Sequence, residues 1–421
     1  MIRRLINLFN RLLAGPTFFR FGDVLLPWLA VGAFLATAVG LVWGLVYAPA
    51  DYQQGESFRM IYVHVPSAWL SMGAYAFMAG AAVFALVWRA RLAEVVVWAT
   101  APVGAVFTAL SLLTGSLWGR PMWGTWWAWD ARLTSQLILL FLYLGVIGLY
   151  SAFNDQRQGA RAASLLAVVG VVNLPIIHYS VVWWNSLHQG ATVSFVRAES
   201  AMAAEMLWPL LIATLGAQCL FAIAVLLRSR AGLLDRERRK RWASELVQAR
   251  RLHIARSASL LGGAAAVVVV AWAGVMLQLP SDEAPLNYRT PLQVSRENVP
   301  LDRPFSVGGW LALDQRGRIV LRDHSGDLSV SVSGISGLKA TDALGKPVIV
   351  QGTLAPGGGL EAEGFRALSE PRMWLTMEGY GYFVWSCIGA YLAALLGLLA
   401  HSRRLQARAA QRVRKLSGKS S

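Results

Sequence analysis

Long, uninterrupted apolar runs constrain this chain more than any other feature. In lipid a backbone must satisfy its own polar groups, so a crossing segment is a helix of about 20 mostly apolar residues. Eight stretches qualify, at 24–48, 68–88, 95–117, 133–153, 162–178, 205–227, 258–279 and 380–400. The fifth is short and contains Pro175. Composition agrees: 56% of the 421 residues are hydrophobic and 15% charged, against roughly 25% charged in soluble domains. These runs exclude a soluble cytoplasmic enzyme. The two cysteines, Cys219 and Cys387, both lie inside apolar runs, and no CxxC or CxxCH occurs. The chain is therefore neither a disulfide scaffold nor itself a c-type cytochrome.

Charge sets the expected orientation. Placing the N-terminus inside puts 25 of the 39 Lys and Arg residues in inner segments, as the positive-inside bias requires. The net charge of +16 then reports topology and contact with anionic lipid, and no nucleic-acid partner is expected. The start, MIRRLINLFNRLLAGPTFFR, reads as a basic amphipathic stretch on the cytoplasmic face. The basic run 235–251 reads as a retention charge and a seam between two units.

The outer segment 281–372 differs in character. FSVGGWLAL, RIVLRD, DLSVSVS, PVIVQGTLA and LEAEGFRAL alternate with period two between Gly-rich turns. That spacing predicts a small antiparallel barrel or sandwich, tethered at both ends by spanning helices.

Few residues could do chemistry. His253 and His401 lie among arginines on the inner margin, His324 falls in a turn, and His178 ends the fifth run as a structural residue. His64, in IYVHVPSAW, and His188, in WWNSLHQG, are each expected in an outer loop near a helix end, among aromatic residues. Between them lies WGRPMWGTWWAWDARLTS, with Trp118, Trp123, Trp126, Trp127 and Trp129 followed by Asp130 and Arg132, and Gly124 inside the run. An interfacial belt scatters its Trp residues; this loop concentrates them around a Gly, an Asp and an Arg. Such a surface, with a buried Asp–Arg pair, suits a flat, π-rich ligand bearing anionic substituents: haem or a similar planar molecule. Trp offers stacking area, Arg can pair with a propionate, and two histidines can ligate iron axially.

The run WGTWWAWDARLT (123–134) resembles the tryptophan-rich WWD signature of haem-handling proteins of cytochrome c biogenesis. MIYVHVPSAW (60–69) and WWNSLHQG (183–190) resemble the two histidine loops of the CcmC branch. The resemblance covers about residues 15–230. It implies that His64 and His188 are the axial ligands of a non-covalently held haem b at the outer face, with the Trp-rich loop as platform between them. Asp130 and Arg132 match signature positions; chemistry assigns Arg132 to a propionate and Asp130 to holding the loop. Segment 250–370 resembles the CcmE haem chaperone, anchor and OB-type barrel together. That family attaches haem through a His beyond the last strand, but ALSEPRMWLTMEGY has none here and the next Tyr is Tyr380, so covalent carriage is not implied. Segment 377–412 is similar to CcmD, a single-span partner of the same system.

The expected fold class is an α-helical integral membrane protein: a six-helix WWD-type bundle plus two further spanning helices flanking a small extracytoplasmic OB-like β-barrel. Its order is an amphipathic N-terminus (1–22), the six-helix haem-handling domain (23–230), a basic cytoplasmic linker (231–256), a transmembrane anchor (257–280), the barrel (281–372) and a single-span helix with a basic tail (373–421). The expected location is a bacterial cytoplasmic membrane, with both termini cytoplasmic and the Trp-rich loop and barrel outside. The resemblance implies as partners haem, a haem chaperone and an ABC-type transporter of the cytochrome c maturation system, within the lipid bilayer. No acid, base or nucleophile set indicates an enzyme. Two other readings stay open: a bis-His electron-transfer protein, and a transporter of another hydrophobic solute.

Overall fold

The computed structural model describes residues 14–249, apart from 50, 52–53, 185, 189–192, 195–198 and 201. In the C-terminal half it describes 288–289, 294, 304–323, 326–331, 344, 347–356, 358–367, 377 and 380–417. The chain divides into two compact units. One comprises Met1–Ala48, Met60–Trp272 and Cys387–Ser421, and the other Pro49–Arg59 with Ala273–Ser386.

The first unit is helical. Its elements are α1 (Gly15–Val42, continued by a π-turn Trp43–Tyr47), α2 (Ile61–Trp88), α3 (Arg91–Trp123), α4 (Ala131–Ala152), α5 (Gln156–Val169), α6 (Asn173–Trp183), α7 (Ala204–Arg236) and α8 (Arg241–Ala249). The last helix, α9 (Gly381–Ser417), begins in the second unit's segment and runs into the first. Seven helical spans among the described residues are long and apolar enough to cross a membrane. The expected span 258–279 lies outside the described residues. The spans at Gly15–Tyr47, Glu56–Trp88, Arg91–Trp123 and Ala204–Arg236 each hold 33 residues, about 50 Å of helix against a hydrocarbon core of about 30 Å. Each is longer than an untilted crossing requires.

Several boundaries differ from the sequence reading. The fifth run is two helices joined by a 3-10 turn, Gly170–Val172, because Pro175, near the start of α6, cannot donate to the turn before it. The sixth span does not end near residue 227; α7 continues to Arg236 and carries Arg228, Arg230 and Arg236 inside the helix. Each has a partner that keeps it there. Arg230 pairs with Asp23 at 2.7 Å, Arg236 pairs with Glu94, and Arg228 donates to the Ala99 carbonyl at 3.1 Å. The expected linker 231–256 is thus helical over much of its described length, and α1 claims Gly15–Gly22 from the expected N-terminal amphipathic segment. Helix α9 likewise absorbs the basic tail.

Packing follows the logic of helices in lipid, where small residues and polar bonds replace hydrophobic drive. Gly40 on α1 and Gly216 on α7 let those two helices touch: a Cβ on Gly40 would sit 2.5 Å from the Ala213 nitrogen. A core of Tyr75, Met78 and Ala82 from α2, Val97 and Ala101 from α3, and Leu139 and Tyr143 from α4 is closed by Ala163 of α5 and Ile177 of α6. Inside it, the Tyr143 hydroxyl donates to the Ser71 carbonyl at 2.8 Å and Gln136 Nε2 to Ser71 Oγ at 2.7 Å. The C-terminal end of α9 joins a second core, with Ala409, Ala410 and Val413 against Phe19, Leu92 and Leu234.

The second unit holds the barrel. After two short pairs of residues, β1 (Val193–Ser194) with β2 (Glu199–Ser200) in the first unit and β3 (Tyr288–Arg289) in this one, come β4 (Phe305–Leu313), β5 (Ile319–Asp323), β6 (Gly326–Ser331), β7 (Pro347–Leu354) and β8 (Leu360–Ala367). The order β4-β5-β6-β8-β7 closes through β7 pairing back on β4, and the β6–β8 pair is parallel. A closed five-stranded barrel with this crossover is the OB arrangement. Val307, Leu311, Leu321, Leu328, Val348, Val350 and Leu360 fill it, the inward members of the period-two alternation. His324 and the stretch 368–376, on which covalent haem attachment turns, lie outside the described residues.

Candidate functional site

The tryptophan-rich segment is built by the end of one helix and the start of the next. Helix α3 runs through Trp118 and stops at Trp123, where Gly124 takes φ +73°, a left-handed cap that favours glycine. The Gly124 N–H reaches the Arg120 carbonyl at 3.1 Å, and the Arg120 guanidinium returns to the Gly124 carbonyl. Thr125 Oγ1 donates to the Trp127 carbonyl at 3.0 Å. The loop ends at Asp130, whose carboxylate accepts the Leu133 N–H at 2.7 Å and caps α4.

Trp118, Trp123 and His64 are helical, not in loops as the sequence suggested; His64 sits in the first turn of α2. The helix begins at Ile61, before the expected span at 68–88, and runs through Pro66. His188 does lie outside regular structure.

Asp130 joins the histidine segment to the loop. Its Oδ2 accepts Ser186 Oγ at 2.6 Å and lies 2.8 Å from His188 Nδ1. The Ser186 hydroxyl also accepts the His188 N–H at 3.1 Å. The expected Asp130–Arg132 ion pair is absent among the described residues; the carboxylate's partners are Ser186, His188 and the helix cap. Burial pushes the Asp130 carboxyl up, but the bonds from Ser186, Leu133 and His188 outweigh it and hold it below the ordinary carboxylate range. Burial pushes His188 below the ordinary histidine range, against the opposing pull of Asp130. An ionised carboxylate only accepts, so His188 donates from Nδ1 and carries its lone pair on Nε2.

His64 is bonded through the same ring atom, with Nδ1 3.0 Å from Thr114 Oγ1 on α3. Its ring meets Trp118 edge-on at 5.6 Å, while Trp123 meets His188 at 4.8 Å. His64, His188 and Arg132 lie within electrostatic reach of one another. The Trp residues divide by exposure. Trp126 and Trp129 are 50% and 77% exposed, while Trp127 packs edge-on against Trp129 at 5.4 Å. The Trp127 indole nitrogen is buried with no hydrogen-bond partner among the described residues. Two imidazoles each held through Nδ1, an Arg and a buried Trp127 N–H without a partner among the described residues suit a planar iron porphyrin with anionic edges.

The sequence reading missed Thr114, Ser186 and Arg120. Thr114 carried a usable signal: Ser111, Thr114, Gly115 and Trp118 recur at i, i+3, i+4 and i+7 in an otherwise apolar run. Ser186, two residues before His188, carried none.

These features define a multi-pass membrane protein with a paired-histidine, tryptophan-rich site. The chain belongs to the CcmC family, Heme exporter protein C, whose model matches residues 8–244. Heme exporter protein C of Escherichia coli (strain K12) is 51% identical over 238 residues, covering 56% of this chain and 96% of that protein. The Haemophilus influenzae protein of the same name is 52% identical over 232 residues, 55% of this chain and 94% of its own. A putative cytochrome c biosynthesis ccmC-like mitochondrial protein of Marchantia polymorpha is 44% identical over 176 residues, 42% of this chain and 73% of its own. The barrel and α9 lie beyond the matched segment.

Proposed function

We propose that this protein handles haem for cytochrome c biogenesis by holding it non-covalently at the outer membrane face, as haem b, between His64 and His188. One observation carries the reading: both histidines engage the protein through Nδ1, and they flank the segment that holds the Trp platform. Iron takes the free Nε2 atoms, Arg132 pairs with a propionate, and the exposed Trp126 and Trp129 faces supply stacking area. Asp130 orients His188 and caps α4 at once. The protein acts by binding and transfer and not as an enzyme. Its partners are a haem chaperone and an ABC-type transporter of the maturation system, in a bacterial cytoplasmic membrane. The barrel resembles the chaperone but lacks its attaching His, which leaves it a docking, capping or presenting module for haem, or a degenerate relic.

The test is the optical spectrum of purified protein. His64→Ala and His188→Ala should each change the haem absorption or reduce haem occupancy. An unchanged spectrum and occupancy in both variants would remove the bis-histidine assignment.

A further inference from the structure

We propose that Thr114, with Gly115 beside it, is the positioning residue that fixes the tautomer of His64, and that the two axial ligands are unequal in donor strength. His188 is the carboxylate-backed, stronger ligand and His64 the hydroxyl-backed, weaker one. The proposal rests on the haem reading above.

The direction of the Thr114 bond follows from counting protons. A threonine hydroxyl has one proton to give. Thr114 Oγ1 lies 2.7 Å from the Leu110 carbonyl and 3.4 Å from the Ser111 carbonyl, both acceptors only. Its proton is committed there, so toward His64 Nδ1 at 3.0 Å it can only accept. His64 Nδ1 therefore carries the proton and Nε2 presents its lone pair.

The niche is closed to alternatives. Thr114 is fully buried, so water does not replace its hydroxyl. Cys387 of α9 covers it, with Sγ 3.9 Å from the Thr114 carbonyl. A Cβ on Gly115 would stand 3.1 Å from His64 Cε1, tighter than nine in ten real contacts of that kind, so a larger residue there presses directly on the ring. Ser111, Thr114, Gly115 and Trp118 thus form one stripe of α3 shaped to hold an imidazole in a single orientation.

The support of His188 is chemically different. An ionised carboxylate behind an imidazole raises its basicity as a ligand more than a neutral hydroxyl does. Carboxylate-backed His188 binds ferric iron more strongly, so His64 is the bond that opens first when haem is handed on.

Two measurements test this. In haem-free protein carrying 15N-labelled histidine, His64 should show the Nδ1–H tautomer. Thr114→Val should populate the other tautomer, and Thr114→Ser should restore the first. In haem-loaded protein, Thr114→Val and Gly115→Ala should weaken haem retention about 10–100-fold, the usual cost of losing an outer-shell partner, with Thr114→Ser near wild type. The midpoint potential should rise more in Asp130→Asn than in Thr114→Val. Unchanged His64 nitrogen shifts and retention in Thr114→Val would overturn the positioning role, and equal or reversed potential shifts would overturn the inequality. If His64→Ala alters the spectrum while Thr114→Val changes nothing, this inference fails alone. If His64→Ala is also silent, the haem reading fails with it.

Discussion

At the scale of single residues, Asp130 does two jobs that substitution can separate. Asn caps a helix about as well as Asp but cannot supply a carboxylate to His188. Asp130→Asn should therefore keep α4 intact, with unchanged helical circular dichroism, while altering the spectrum of bound haem. Asp130→Ala should lose both functions, at about 1 kcal/mol for the cap alone. A haem spectrum unaltered in Asp130→Asn would show that His188 does not depend on the charge. The Trp residues, the histidines and Asp130 stand out in the sequence because they crowd together in an otherwise apolar chain, and the structure brings His64, Trp118, Trp123, Asp130 and His188 into contact. Arg120, Thr125 and Ser186 do not stand out, because a residue that acts by touching a distant or bent stretch of backbone leaves no local pattern. Asp130 stood out in the sequence, but its partner differs from the one expected. Sequence proximity suggested Arg132, two positions on, whereas the cap geometry turns the carboxylate toward Ser186 and His188, more than fifty positions away.

At the scale of elements, apolar length located every described span, and period-two alternation located all five barrel strands. What failed was boundaries. Hydropathy drops where arginines begin, yet α7 and α9 run on, with Arg230, Arg236 and Arg412 each paired to a carboxylate. The barrel offers a test of its own turns. Asp314 accepts the backbone N–H of Arg318 at 2.9 Å and of Arg316 at 2.8 Å, and Asp327 accepts two bonds from Arg322 at 2.7 Å. Backbone N–H bonding at Asp314 and the Arg322 bonds at Asp327 lower both carboxyl pKa values. A lowered carboxylate pKa contributes stability that is fully present above the unfolded value of about 3.9 and is lost as pH falls through the folded value. Hydrogen exchange across 314–327 in the full-length protein should therefore stay flat from neutral pH to about 5 and lose protection below about 4, after correction for the intrinsic rate. Protection lost already near pH 6 would assign the turns to some other titrating group.

At the scale of the whole molecule, the charge distribution leads us to expect the Trp-rich loop and the barrel each on the outer side. Single cysteines at Arg316 and Ser244, in a background free of Cys219 and Cys387, should react with an impermeant reagent from opposite faces, Arg316 from outside. Labelling of Arg316→Cys from the cytoplasmic side alone would invert the topology and remove the delivery model. Covalent attachment is tested separately. Haem held only by coordination is lost when its ligands protonate, so a denaturing gel should show no haem-stained fragment from 281–372. A stained barrel peptide would restore full carrier chemistry to that domain. The division of labour between helices and barrel was readable as a change in residue rhythm. The use of α9 was not: the sequence gives it the look of an appended single span, while Cys387 lies against α3 behind Thr114 and its far end joins the core with Phe19 and Leu234.

The crowding of indoles around His64 and His188 also gives the protein an optical property. Trp118 and Trp123 each lie within 6 Å of a histidine ring, at 5.6 Å and 4.8 Å. A porphyrin bound there absorbs where tryptophan emits, so energy transfer at such short range extinguishes the fluorescence of the whole cluster. Loading and release can then be followed in real time from the protein's own emission, without a dye, and the quenched fraction counts how many of the 18 tryptophans stand close enough to see the cargo.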